Sequence, residues 1–423
     1  MKKNMKLTAI ILSVMITISL TSCANNKSEA SEIDVFMMNP DIHLESFLNS
    51  YSGPDGNMNV DIEIGLSSTD MTANDVLKDL NTRLMGKNGP DVIIFDDIDP
   101  QNYIDAGLLA DLSDITSRSE GIIEGIAENG KQDGKTYYIP LAFSLIAHMQ
   151  QPEESVDFSS LSDFVSSLKL KNLQGGYFEN MASIWYRTQF EPSVLSTGEI
   201  SEEQIRAFFE ELSELMDVAD WSDYYPVVRA SLYPGNYMVN PQLSCADIFF
   251  DEIDASSDYV ADLSSLQTVY SMEEDKELDV QYAQRDGKII YIPRCVIAVN
   301  ENSANKNAAM QMVEYLISPD GQNSVAKSGT LIPVNRQVIE KEIENAGTSH
   351  YSIDGNYYEV KPFSDEAKES FQEVLDSLGY EAWTDIYLME IILSGARGYL
   401  NGEVSVDDAV ADTFSRAEIY LAE

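Results

Sequence analysis

A chain of 423 residues with 71 acidic against 27 basic side chains carries a net charge of −44, a field that repels nucleic acid, anionic lipid and anionic solutes and excludes nucleic-acid binding. That length suits two or three domains, or one large two-lobed body with a sizeable core. Three cysteines are too few for a disulfide framework, and three histidines in unrelated segments, His43, His148 and His350, argue against a zinc site or a His-based triad.

In chain order, Lys2, Lys3 and Lys6 precede an apolar run from Leu7 to about Leu20, the layout of a secretory signal and too short to span a bilayer comfortably. The run ends in Leu20-Thr21-Ser22-Cys23, which looks like a bacterial lipobox. Residues 1–22 are therefore predicted to be a lipoprotein signal, with Cys23 acylated. Losing the three lysines leaves 24 basic against 71 acidic residues, a net of −47, and so many carboxylates read as a solvated outer surface. Residues 23–31 are small and polar without apolar periodicity, a flexible tether.

From Ile33 strand and helix patterns alternate. IDVFMM is a strand; Leu44, Phe47, Leu48 and Tyr51 share one helical face; Val60, Ile62 and Ile64 alternate with acids as a half-buried strand; Thr72 to Gly86 carries Val76, Leu77, Leu80 and Leu84 as a helix; PDVIIF is a buried strand. This order predicts a parallel sheet with helical crossovers, whose ligands sit beyond the carboxyl ends of the strands, where Asn39, Asp96 and Asp97 fall. Further on, Gln132-Asp-Gly-Lys-Thr-Tyr-Tyr-Ile-Pro140 and Arg285-Asp-Gly-Lys-Ile-Ile-Tyr-Ile-Pro293 each pair an Asp-Gly hairpin turn with a short strand ending at proline. Ser201 and Gln204 form a capping box before the stripe Ile205, Phe208, Phe209, Leu212. A helix over 304–317, the short connector SPDGQNSVAKSG and helices over 365–378, 384–400 and 405–421 complete the chain. No Pro/Gly/Ser-rich linker divides it, which favours lobes that interleave.

Four stretches in this order resemble the family-1 extracellular solute-binding proteins: GPDVIIFDDIDPQNYIDAGLLADLSDI, DGKTYYIPLAFS, VNENSANKNAAMQMVEYLISPDGQNSVAKSGTLIPVN and YLNGEVSVDDAVADTFSRAEIYL. The resemblance implies an α/β, two-lobed periplasmic-binding-protein-like (type II) fold with a ligand cleft between lobes joined by a hinge crossed more than once. Lobe 1 would hold 32–142 plus 296–330, lobe 2 would hold 145–292 plus 335–423, and Thr330-Leu-Ile-Pro333 would mark the third crossing. It implies a binding protein rather than an enzyme, with no cofactor and no metal. Its partners would be a small solute, a mono- or oligosaccharide, the membrane permease of an ABC importer, and the membrane through the lipid anchor on the extracytoplasmic face, the protein being a monomer. The chain departs from the pattern at SLIAHMQQ, where relatives show a Tyr-Asn pair, and at LSCADIFF, where sugar-binding relatives often place a tryptophan.

Sugars present a dry CH face and a ring of hydroxyls, so their sites combine aromatic platforms with carboxylate, amide and Arg partners. All three tryptophans, Trp185, Trp221 and Trp383, fall in the second lobe, the first two in segments able to face the cleft. Asp96 and Asp97 are candidate ligand acids or solvated loop acids. Arg294, beside the predicted hinge, is a candidate partner for a ligand hydroxyl or for an inter-lobe carboxylate. Competing readings are a polyamine, peptide or other cation-binding relative, for which clustered acids serve directly, and a secreted lipoprotein hydrolase, for which no nucleophile motif, metal cluster or phosphate loop is present.

Overall fold

The computed structural model of the protein describes residues 31–38, 42–54, 56–66, 73–86, 88–95, 99–168, 173–174, 178–197, 199–220, 245–250, 253–353 and 356–422. Cys23, Asn39, Asp96, Asp97 and Trp221 lie outside the described residues.

The chain opens with three parallel strands. Ser31–Met37 runs between Met58–Ile64 and Val92–Phe95, with Val35 in register with Ile62 on one side and Val92 on the other. Helices Ile42–Asn49 and Ala73–Gly86 make the crossovers. Val92–Phe95 is buried at every residue, as a central parallel strand covered on both faces must be, whereas Met58–Ile64 alternates between half-buried and exposed.

Two twelve-residue strands, Ile139–Gln150 and Lys288–Val299, organise the rest. At ~3.3 Å per residue each reaches roughly 40 Å, more than one lobe needs. They run antiparallel, Ile297 opposite Ile139 and Ile292 opposite Ser144. At one end Lys288–Val299 joins the parallel set, Val296 opposite Phe95. At the other end Ile139–Gln150 pairs with Ala255–Val260 and Asp279–Tyr282. Ile332–Pro333 adds a short pairing to Phe143 and Ala142, midway along, so that ten strands form one continuous sheet.

Apolar side chains divide about this sheet. Ile33, Val35, Leu141 and Ile297 pack on one face of the first half, and Phe36, Phe95, Tyr103 and Val296 on its other face. In the second half Leu145, Met149, Tyr291 and Phe371 fill one face, and Ile146, Ile184, Ile290 and Ile292 the other, beneath a helical cluster containing Phe164, Trp185, Phe208 and Leu388. Each such side chain contributes about 1.5–3 kcal/mol through burial. Helix Glu124–Asn129, early in the chain, packs Ile126 into the second half. Cys295 sits at φ 51°, a left-handed kink in the middle of a long strand, where Lys288–Val299 passes from one set of cores to the other. Both Cys245 and Cys295 are buried, and they form no disulfide among the described residues.

The two Asp-Gly turns form as their sequence predicts. Asp133 and Gly134 stand at φ 53° and 78°, Asp286 and Gly287 at 52° and 75°, the double left-handed geometry of tight hairpins. One segment differs from its reading as a connector. SPDGQNSVAKSG contains helix Pro319–Lys327, started by Pro319 and by the Ser318 hydroxyl, which accepts the Gly321 N–H at 3.3 Å. Among the described residues no helix is long and apolar enough to cross a membrane.

Candidate functional site

A cavity of about 300 Å³ opens where the two lobes meet. One wall comes from the first lobe. Helix Ala73–Gly86 presents Leu77, Asn81 and Met85, spaced by four and therefore on one face, and the start of helix Gln101–Asp105 presents Asn102 and Tyr103, with Asp99 just before it. The opposite wall comes from the second lobe: Asp385 and Tyr387 at the start of helix Ile386–Leu400, and Tyr420 from the terminal helix Val406–Ala422.

These side chains are held in place by their neighbours. The Tyr103 ring lies 5.0 Å from Phe95 at the end of its strand, and burial pushes its hydroxyl up to about 12, so it remains a hydrogen-bond donor. Asp385 caps its helix, its Oδ1 accepting the N–H groups of Tyr387 and Leu388 at 3.1 Å each. The Tyr420 hydroxyl lies 3.0 Å from both Asp385 oxygens, tying the terminal helix to the cap. Behind it, Glu191 Oε1 accepts the Asp385 N–H at 2.9 Å. Glu191 follows the π-helical turn Tyr186–Phe190, and burial pushes its carboxyl up to about 7 against the pull of that N–H and of Arg187.

Beside the cavity the lobes touch through Trp383, whose ring meets Tyr138 edge-on at 5.6 Å. The Tyr138 hydroxyl donates to Glu381 Oε2 at 2.6 Å, and burial pushes the Glu381 carboxyl up to about 7. Glu381 Oε1 and Trp383 Nε1 are sealed from solvent without a hydrogen bond of normal geometry to any described residue. The Asp99 charge adds to the upward push that burial exerts on both Glu381 and Asp385, so the three carboxyls share one field.

A larger cavity, about 680 Å³, lies wholly within the second lobe, among His148, Phe158, Trp185, Gln189, Gln281 and Gln284. Trp185 is only 2 % exposed, its ring stacked 5.9 Å from His148 and tilted against Phe164 at 6.0 Å, so little of its face is open to a ligand. Burial holds the His148 ring down at about 4, neutral, and bonded through Nδ1 to the Ser257 hydroxyl at 2.7 Å. Gln189 and Gln281 are already bonded, to Glu211 and Asp279. A clamp needs walls from both lobes, which the smaller cavity has and this one lacks.

Of the residues nominated by sequence, Trp383 stands beside the inter-lobe cavity and Trp185 lies inside the second lobe, while Asn39, Asp96, Asp97 and Trp221 fall outside the described residues. Arg294, half-buried opposite Ala142 at the midpoint of the long strands, does not line the cavity. Sequence reasoning missed Tyr103, Asp385, Tyr387 and Tyr420. Asp385 was within reach, as an acid heading the apolar run Ile386, Leu388, Met389, Ile392, Leu393; Tyr420, 35 residues later, carries no local signal.

Two α/β lobes threaded by shared strands, with a polar and aromatic cavity at their junction, define a two-lobed ligand-binding protein. The chain belongs to the bacterial extracellular solute-binding proteins, whose family profile matches residues 57–348. No curated protein sequence matches it significantly. Solved structures share the fold at low identity. A sugar transporter of Bacillus licheniformis, in complex with stachyose, superposes with a TM-score of 0.54 at 12% identity, covering 91% of this chain and 98% of that one. The corresponding figures are 0.51, 14%, 92% and 99% for a family 1 extracellular solute-binding protein of Bifidobacterium longum subsp. infantis. They are 0.51, 14%, 93% and 99% for an acarbose-binding receptor of Streptomyces glaucescens. The family-level resemblance read from the sequence is borne out, and this family and these neighbours are binding proteins.

Proposed function

We propose that this protein is the extracytoplasmic solute-binding component of an ABC importer and that it captures a carbohydrate in the cavity between its lobes. The observation that carries this reading is the cavity itself, with walls from both lobes, so that a bound solute stabilises the closed arrangement over the open one. Its volume is at the lower end of the ~300–1,000 Å³ of small-molecule sites. The aromatic groups Tyr103, Tyr387 and Tyr420 supply the apolar face that a sugar ring needs, and Asn81, Asn102 and Asp99 supply polar partners. Stachyose and acarbose in the neighbours named above support the ligand class. The lobes divide at about 142–145, 292–296 and 330–335, Cys23 carries the lipid that keeps the protein at the membrane, and the permease engages the closed monomer.

The test is calorimetry with small-angle scattering on wild type, Asn102→Ala and Tyr387→Ala against maltotriose, stachyose, spermidine and free amino acids. A saccharide that binds, compacts the molecule and loses about 2–10-fold in affinity in each variant supports the reading, in line with about 0.5–1.5 kcal/mol for an aromatic contact. An unchanged radius of gyration together with wild-type affinity in both variants overturns it. Release of a cleaved product from any saccharide would move the protein to the hydrolase class.

A further inference from the structure

We infer that the inter-lobe cavity selects a saccharide carrying a protonated amine, an amino sugar, over its neutral counterparts. The inference rests on the carbohydrate reading of the cavity and concerns what distinguishes its ligand.

The charged residues lining the cavity are Asp99 from one lobe and Asp385 from the other; among the described residues no lysine or arginine lines it. Carboxylates serve neutral sugars by accepting hydroxyl protons, which requires free acceptor positions. Asp385 has few left, since Oδ1 takes two backbone N–H groups and the Tyr420 hydroxyl lies 3.0 Å from both oxygens. Asp99 keeps more, its Oδ1 taking the Gln101 N–H at 2.9 Å. What Asp385 offers a ligand is chiefly charge, and Asp99 brings a second negative charge to the same cavity. The Asp99 field reaches both Asp385 and the buried Glu381. Lobe closure brings the two walls closer and excludes water, which strengthens the repulsion unless the ligand itself carries a positive charge. Arg187 does not relieve it, because that guanidinium sits behind the wall, within the field of Glu191. The aromatic rings of Tyr387 and Tyr420 on the same wall suit a sugar ring rather than a bare polyamine.

The experiment compares chitotriose with its fully deacetylated form, which differ only in acetamide against ammonium, alongside maltotriose and spermidine, by calorimetry on the mature protein at pH 6. The deacetylated trimer is expected to bind at least 10-fold tighter than chitotriose at 20 mM salt. Raising salt to 500 mM should shrink that advantage several-fold. Asp99→Asn, at an exposed position, should cut it without altering thermal stability, and Asp385→Asn, which preserves the cap, should cut it further. Equal or weaker binding of the amine, with chitotriose or maltotriose bound, overturns the inference and leaves the carbohydrate reading intact. Spermidine bound tighter than any trimer overturns it in favour of a plain cation site. Binding of none of the four overturns both the inference and the carbohydrate reading.

Discussion

Glu191 shows what a single buried acid does to this protein. It is 6% exposed, and burial raises its carboxyl from an ordinary value near 4.5 to about 7. Between those two values the folded protein binds the proton more tightly than the unfolded chain, so this group's contribution to stability is full below about pH 4.5 and is lost as pH rises through about 7. Glutamine keeps the oxygen that accepts the Asp385 N–H and has no charge to bury. Glu191→Gln is therefore expected to gain stability relative to wild type between pH 4.5 and 7.5, on the order of 1–3 kcal/mol. Denaturation midpoints at three pH values measure it, and a wild-type-minus-variant difference that stays constant with pH would contradict it. His148 acts in the opposite sense: its ring is held at about 4, so its contribution is present above 6.5 and lost as pH falls toward 4. Neither role is visible in sequence, because burial of a polar residue is decided by what packs over it. The tryptophans teach the same lesson. Trp185 lies in an apolar stripe with Phe178 and Met181 and turns inward, while Trp383 lies beside a strand end at the lobe junction.

At the scale of elements, local chemistry is legible. Ser201 and Gln204 start helix Glu202–Val218 through a Gln204 N–H to Ser201 hydroxyl bond of 3.2 Å, as their spacing predicts. The Asp-Gly turns are equally direct, since only glycine takes the second left-handed position without a Cβ penalty. At Gly287 a Cβ would meet nothing within 4 Å, so Gly287→Ala isolates backbone strain. It is expected to cost about 1–2 kcal/mol, and Gly287→Asn less. Gly86→Ala, also in open space but without a left-handed backbone, should be neutral or stabilising. Urea unfolding of the three variants checks this, and equal midpoints for Gly287→Ala and Gly86→Ala would show that the turn is not strained. The helix Pro319–Lys327 escaped sequence reading because nine residues with Gly321 and Ser324 have weak intrinsic propensity. Packing supplies what propensity lacks: buried Gln322 donates to the Leu141 carbonyl at 3.1 Å and accepts the Val334 N–H at 2.8 Å.

For the whole molecule, the acidic surplus and the proposed anchor at Cys23 lead to one expectation. On the proposed reading, in which the signal lysines are removed, a net charge near −47 should keep the protein from adhering to anionic membranes on its own. Cys23→Ala is expected to move most of it from the membrane to the soluble fraction, measured by fractionation of expressing cells; retention at the membrane would show a different tether. The sequence alone indicated an α/β sheet with helical crossovers, because alternating apolar periods of 2 and 3.6 and the turn residues between them act over a few residues, and the resemblance of four stretches to a known family implied the two lobes. It marked the two Asp-Gly turns as well, but the strands read as short and ending at Pro140 and Pro293 run on through those prolines as Ile139–Gln150 and Lys288–Val299, because the neighbouring strands of the shared sheet carry the pairing past them. Tertiary structure decided which side chains meet. Tyr103 and Tyr420 are separated by more than 300 positions, and only the sheet shared between the lobes brings both to one cavity. The strand-end residues named from topology followed a rule about backbone direction, whereas the second wall comes from helix ends that docking places. Such contacts are set by the packing of whole elements, and no pattern confined to a short window records them.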